Sequence, residues 1–211
     1  MKKLIVTVVV LLIVKTSVFA QEKKETGIYF GAILGTQIND FNKHFAVDVD
    51  PKLYSFSIGA DGEWTKNNYV IGLEFLYSSA KKDNNNGEIQ YIGFRNTLSF
   101  GYNVTKSKKW KIEPNIGVVL NRNQLIVQNK NNTTFQNLIN EQVSGNIGLN
   151  FKAVSKDGIF TGVKLGYILP FSGETEWENK VTGAATGLED NMGAFYIQLH
   201  LGGLLDLTKK E

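Results

Sequence analysis

The two histidines, His44 and His200, are the only imidazoles in a chain of 211 residues that contains no cysteine. Hydrolysis of the Ser–His–acid kind needs an imidazole held against a nucleophile and a carboxylate. Neither histidine is accompanied by a G-x-S-x-G-like turn, so no enzyme and no cofactor are expected. Thiol chemistry and Cys-ligated zinc are excluded. Glu174, Glu176 and Glu178 would align three carboxylates on one side of an extended segment, a donor type that suits Ca²⁺. No EF-hand-like spacing accompanies them, and metal binding is not expected. His200 is expected to be a hydrogen-bonded member of an interior polar network, near the short-turn rim of the last strand.

Charged residues at alternate positions carry more information. Asp61, Glu63, Glu74 and Glu113 stand against Arg95, Lys111, Lys152 and Lys164, all on the polar side of an apolar–polar alternation. Groups of both signs in a narrow interior would neutralise one another, where an unpaired buried charge costs several kcal/mol. A solvated face of mixed charge would be balanced too, so this spacing supports an interior network without deciding for it.

The elements that position these groups follow from the period. Residues 27–38, 53–65, 69–79, 89–104, 110–121, 142–154, 159–171 and 192–205 alternate with period two. They exceed the ~5–6 residues of ordinary strands and reach the roughly 9–11 of a tilted membrane-crossing strand. Short polar turns at 65–68, 105–109 and 155–158 alternate with longer connections at 39–52, 80–88, 122–141 and 172–191. That is the layout of an outer-membrane barrel, with both termini on the short-turn side. Within the third long connection, 129–134 reads as a flexible polar tip. Residues 134–143 could form a short helix over the barrel mouth through Phe135, Leu138, Ile139 and Gln142.

Alternation alone leaves two facings open. A soluble lipocalin-like barrel turns its apolar set inward; a membrane barrel turns it outward. The apolar set holds nearly all the phenylalanines, more bulk than an eight-stranded interior accepts. The polar set is rich in glycine, which on a crowded inner wall makes room for long charged neighbours. Trp64, Tyr69, Tyr102 and Trp110 lie on the apolar face beside the short turns, as an interfacial aromatic belt would. The expectation is an all-β, eight-stranded antiparallel up-and-down transmembrane β-barrel. A periplasmic lipocalin-like barrel binding an apolar ligand is the alternative.

The N-terminus addresses the chain. Lys2 and Lys3 precede the apolar run at residues 4–14, and Val18 and Ala20 fit the −3 and −1 positions of a signal-peptidase site. Residues 1–20 are expected to be a cleaved signal peptide, leaving a barrel domain at 21–211. Lys2, Lys3 and Lys15 account for the whole formal charge of +3, so the mature chain has no basic excess for nucleic acid.

The segment 110–121, with Pro114 and Gly117, resembles the fifth strand of small bacterial outer-membrane barrel domains, and 92–102 is similar to the strand before it. The mature chain is similar in layout to that family, which includes the porin-like, PorT-type domains common in Bacteroidetes. The resemblance implies a bacterial outer-membrane location, insertion by the barrel-assembly machinery and contact with outer-membrane lipid; a monomer is expected. The role expected is non-enzymatic: a barrel anchoring external loops for adhesion, partner binding or envelope integrity, and at most a narrow pore. The external partner is not legible in the residues.

Overall fold

A sheet that crosses lipid must give every backbone amide a partner, and closing the sheet is how strands achieve it. The computed structural model describes residues 26–40, 52–83, 87–107, 109–129, 135–171 and 173–207. The expected signal peptide, its cleavage site and His44 lie outside the described residues. The strands are β1 (Thr26–Asp40), β2 (Lys52–Lys66), β3 (Tyr69–Asp83), β4 (Gly87–Tyr102), β5 (Trp110–Asn129), β6 (Phe135–Val154), β7 (Ile159–Pro170), β8 (Thr175–Asn179), β9 (Ala185–Asp190) and β10 (Ala194–Asp206).

Consecutive long strands pair antiparallel, β7 continues to β10, β10 pairs with β1, and the β5–β6 ladder joins the ends. The result is the closed eight-stranded up-and-down barrel expected from the alternation. The β2–β3 turn shows how the short rim is made. Asn67 and Asn68 have φ of 54° and 82°, the left-handed pair that a two-residue hairpin turn requires and that Asn tolerates.

Neighbouring residues of β3 record the facing. Leu73 is 50% exposed on the outer wall, whereas Glu74 is 4% exposed in the lumen. The same outward set includes Phe30, Phe75, Leu98, Leu120 and Leu199, all exposed. A soluble monomer rarely leaves more than a few hundred Å² of contiguous apolar surface open, and here the apolar belt runs round the barrel. This facing suits lipid and is the reverse of a lipocalin.

Glycine gives the inner wall its room at one clear point. Gly31 of β1 pairs with Gly202 of β10, and a Cβ on Gly31 would lie 3.1 Å from the Phe160 ring and 3.2 Å from Asp61 Oδ1. The Phe160 ring uses that space to meet Tyr29 edge-on, with centroids 5.3 Å apart.

Three expectations about the long connections are corrected. The connection at 80–88 is mostly strand, since β3 runs to Asp83 and β4 starts at Gly87. The helix at 134–143 does not form. β6 begins at Phe135 and stays laddered to β5, with Leu138 opposite Leu125 and Ile139 opposite Gln124. Leu138 is buried within while Ile139 faces outward, so these apolar neighbours serve opposite faces of one strand. The last connection folds into the β8–β9 hairpin, whose β8 joins the top of β6 at Leu138 and Ile139.

Candidate functional site: a charged lumen under an apolar cap

Alternation on the eight strands sends all nine sequence-selected lumen residues inward, and the structure sorts eight of them into three clusters. In the first, Glu74 of β3 accepts from Arg95 Nη2 through Oε1 at 2.8 Å and from Lys164 Nζ through Oε2 at 2.8 Å. In the second, Lys152 of β6 bridges Glu63 and Glu113, the latter at 2.8 Å. Asn150 donates to both of those carboxylates at 3.3 and 3.4 Å. In the third, His200 Nδ1 meets Asp61 Oδ2 at 2.9 Å. Lys111 stands over the Tyr29 ring at 4.9 Å, and Lys152 over the same ring at 4.7 Å. The Arg95 guanidinium covers Tyr196 at 4.5 Å. His200 lies in the middle of β10 rather than near the short-turn rim, opposite Ile33 and Gly162.

Above the ion pairs the network becomes neutral. Arg95 Nη1 reaches Gln37 Oε1 at 3.4 Å, Gln37 donates to Tyr91 Oη at 3.3 Å, and Tyr91 donates to Asn123 at 2.8 Å. Asn39 and Ser55 join at 3.0 Å beside it. These bonds carry the polar lumen up to a different material.

At the long-loop end the inner face turns apolar. Leu53, Ile89, Leu125, Val127, Leu138 and Met192 point inward and pack with Trp177 into a buried apolar cluster. Trp177 comes from β8 and is fully buried, its indole Nε1 donating to Asp190 Oδ2 at 2.8 Å. Asn140 of β6 ties the hairpin down through Thr175 Oγ1 at 2.9 Å and the Glu176 carbonyl at 3.1 Å. On the outside, Arg122 and Glu141 pair just below these rungs, and Gln124 pairs with Ile92 and Ile139 beside them. The barrel is therefore polar inside and apolar outside along most of its height, and apolar inside at its top, where the outer face is mixed and Gln124 stands between Ile92 and Ile139.

Of the remaining candidates, Trp64, Tyr69 and Trp110 are exposed on the outer wall and Tyr102 is half-buried beside Tyr69, their rings 5.3 Å apart. A second ring of exposed aromatics, including Tyr54, Tyr77 and Tyr167, lies nearer the long connections. Tyr54 and Trp64 bracket β2, and ten residues at about 3.3 Å rise and a tilt of roughly 40° set them about 25 Å apart along the axis. That is close to the ~25 Å apolar band of such barrels. In the carboxylate triplet, Glu176 and Glu178 are exposed on either side of buried Trp177, and Glu176 accepts from the Gly187 amide at 2.6 Å. No group of three or more metal-binding side chains occurs among the described residues.

Solved structures share this architecture. Ail, the attachment invasion locus protein of Yersinia pestis, aligns over 87% of this chain and all of its own, with 10% identity and a TM-score of 0.50. The chain has the fold of a small outer-membrane β-barrel. Neisserial surface protein A aligns over 82% of this chain and 96% of its own, at 9% identity and a TM-score of 0.45. A major outer membrane protein of Thermus thermophilus aligns over 83% and 99%, at 10% and 0.46. No family model matches the sequence, and no curated protein matches it.

Proposed function

We propose that this chain is an integral, non-enzymatic outer-membrane protein whose barrel anchors a folded external cap used for attachment, partner binding or envelope integrity. The observation that carries the reading is the apolar belt round the outer wall and its interruption by charge toward the long connections. β5 and β6 present Leu120 and Val143 outward in the lipid band, then Arg122 and Glu141 one rung higher. Such a surface fits a protein held at one depth in a bilayer with its top in water.

A solute channel is less well supported. Ion pairs fill the lumen, and eight strands enclose only side-chain volume. The cap adds an apolar stopper around Trp177. The attachment protein of Yersinia pestis shares the fold, and a rigid external surface is what attachment requires. Export through residues 1–20, insertion by the assembly machinery and a monomeric state complete the proposal. The narrower likeness to PorT-type domains rests on the segment around Pro114 and Gly117.

The test is refolding of the mature chain into detergent and then planar bilayers. The expected result is a gel mobility that changes on boiling and no stepwise conductance. A soluble monomer that needs no detergent and takes up a fatty-acid probe would overturn the proposal in favour of a lipocalin-like binder. Regular conductance steps would establish a pore.

A further inference from the structure

The outer wall carries a groove where polar residues enter the apolar belt, with a volume of about 740 Å³. Its apolar walls are Leu120 and Val143, with Phe94 on one side and Ile139 above. Arg122 stands on one rung between Phe94 and Glu141, and Lys180 reaches the groove from the cap. Lys180 is brought there by the turn after β8, whose backbone amide donates to the Asn137 carbonyl at 2.9 Å. Its Nζ donates to Gln124 Oε1 at 2.9 Å, across the outer face of β6.

We propose that this groove binds the phosphate headgroup of a membrane amphiphile, with the phosphate at Arg122 and Lys180 and the acyl portion against Leu120 and Val143; the proposal rests on the membrane reading above. Three features point to that chemistry. The volume lies within the roughly 300–1,000 Å³ of sites that hold a whole small molecule. Arginine and lysine on one rim complement an anion, and a guanidinium grips phosphate in bidentate fashion. The apolar floor is continuous with the lipid belt, so a ligand held there keeps its chains in hydrocarbon. Glu141 is the competing group: it pairs with Arg122 at 3.3 Å, with both side chains more than half exposed. Exposed pairs of this kind are weak, so a phosphate can replace the carboxylate on Arg122.

The experiment uses the refolded full mature chain in octyl glucoside, checked first for a mobility change on boiling. Calorimetric titration then compares dihexanoyl phosphatidic acid, dihexanoyl glycerol and inorganic phosphate. Phosphatidic acid is expected to bind saturably at one site, with dihexanoyl glycerol and inorganic phosphate each at least tenfold weaker. R122Q with K180Q should weaken phosphatidic acid at least tenfold, and E141Q should tighten it several-fold. Equal binding by inorganic phosphate would overturn the amphiphile assignment. Unchanged affinity in the double variant, or weaker binding in E141Q, would overturn the site. Absence of the mobility change in the wild type would instead overturn the membrane reading beneath it.

Discussion

Glu74→Gln removes one negative charge from the centre of the lumen and leaves two cations, Arg95 and Lys164, facing a neutral amide. In the native barrel each contributes a 2.8 Å charge-assisted contact to a separate carboxylate oxygen. All three side chains are almost fully buried, so water cannot replace the lost charge. Breaking a buried pair by removing one partner costs about 3–5 kcal/mol. The glutamine carbonyl still accepts one bond, which places the expectation near the lower end, about 3 kcal/mol. With an unfolding slope of roughly 2 kcal/mol per molar urea, the midpoint should fall by roughly 1.5 M. The assay is urea unfolding in phosphatidylcholine vesicles, with the folded fraction read from the unboiled gel band. Adding Lys164→Met removes one stranded cation and should recover at least half of the loss. The same change at the exposed end, Glu141→Gln, should cost at most about 1 kcal/mol. If Glu74→Gln unfolds within about 0.5 kcal/mol of wild type, or if the double variant is weaker still, the reasoning about the lumen network is refuted.

Other perturbations address the remaining layers. Leu73→Arg places a charge on the lipid face near the middle of β3 and should destabilise the inserted barrel by about 2–4 kcal/mol; a silent substitution in the same urea assay would reverse the assigned facing. Trp177→Ala should empty the centre of the cap at a local cost of about 3–5 kcal/mol. Trypsin should then cut faster after Lys180 while the barrel keeps its heat-dependent mobility, and concerted loss of both would show that cap and barrel are one cooperative unit. Gly31→Leu should prevent stable closure of β1 on β10, because its side chain would need the space of the Phe160 ring. A folded, heat-modifiable Gly31→Leu barrel would contradict that packing.

The sequence was most legible where one rule holds without interruption. From Tyr69 to Tyr77 the alternation assigns each residue to a face, and Glu74 is inward for the same reason that Leu73 is outward. Partners across the lumen were a different matter. Glu74 and Lys164 sit on strands that do not touch in the sheet, and their meeting depends on barrel diameter and side-chain length, which periodicity does not encode. The top was misread because its rule changes. Leu125 and Val127 share the parity of polar Asn121 and Asn123, so an apolar residue appears where a lumen residue is due. Spacing through Phe135, Leu138, Ile139 and Gln142 then resembles a helix, although Leu138 and Ile139 serve opposite faces of β6. That shift of parity was the available signal, together with Trp177, the one tryptophan away from the short-turn belt. Burial of an indole between two exposed glutamates becomes intelligible only with a cap to enter.

On β5 and β6 the outer face changes from Leu120–Val143 to Arg122–Glu141 over a single rung of the ladder, about 7 Å of strand. Sinking by one rung would take a guanidinium and a carboxylate into hydrocarbon, and rising by one would strip lipid from Leu120 and Val143. Neither displacement is compensated elsewhere, because the opposite rim is set by Trp64, Tyr69 and Trp110. A barrel with a gradual change of polarity can slide to suit a thinner or thicker bilayer. On the membrane reading proposed above, the Arg122–Glu141 pair marks how deep the β5–β6 side of this barrel can sit, so a thicker membrane would have to thin there.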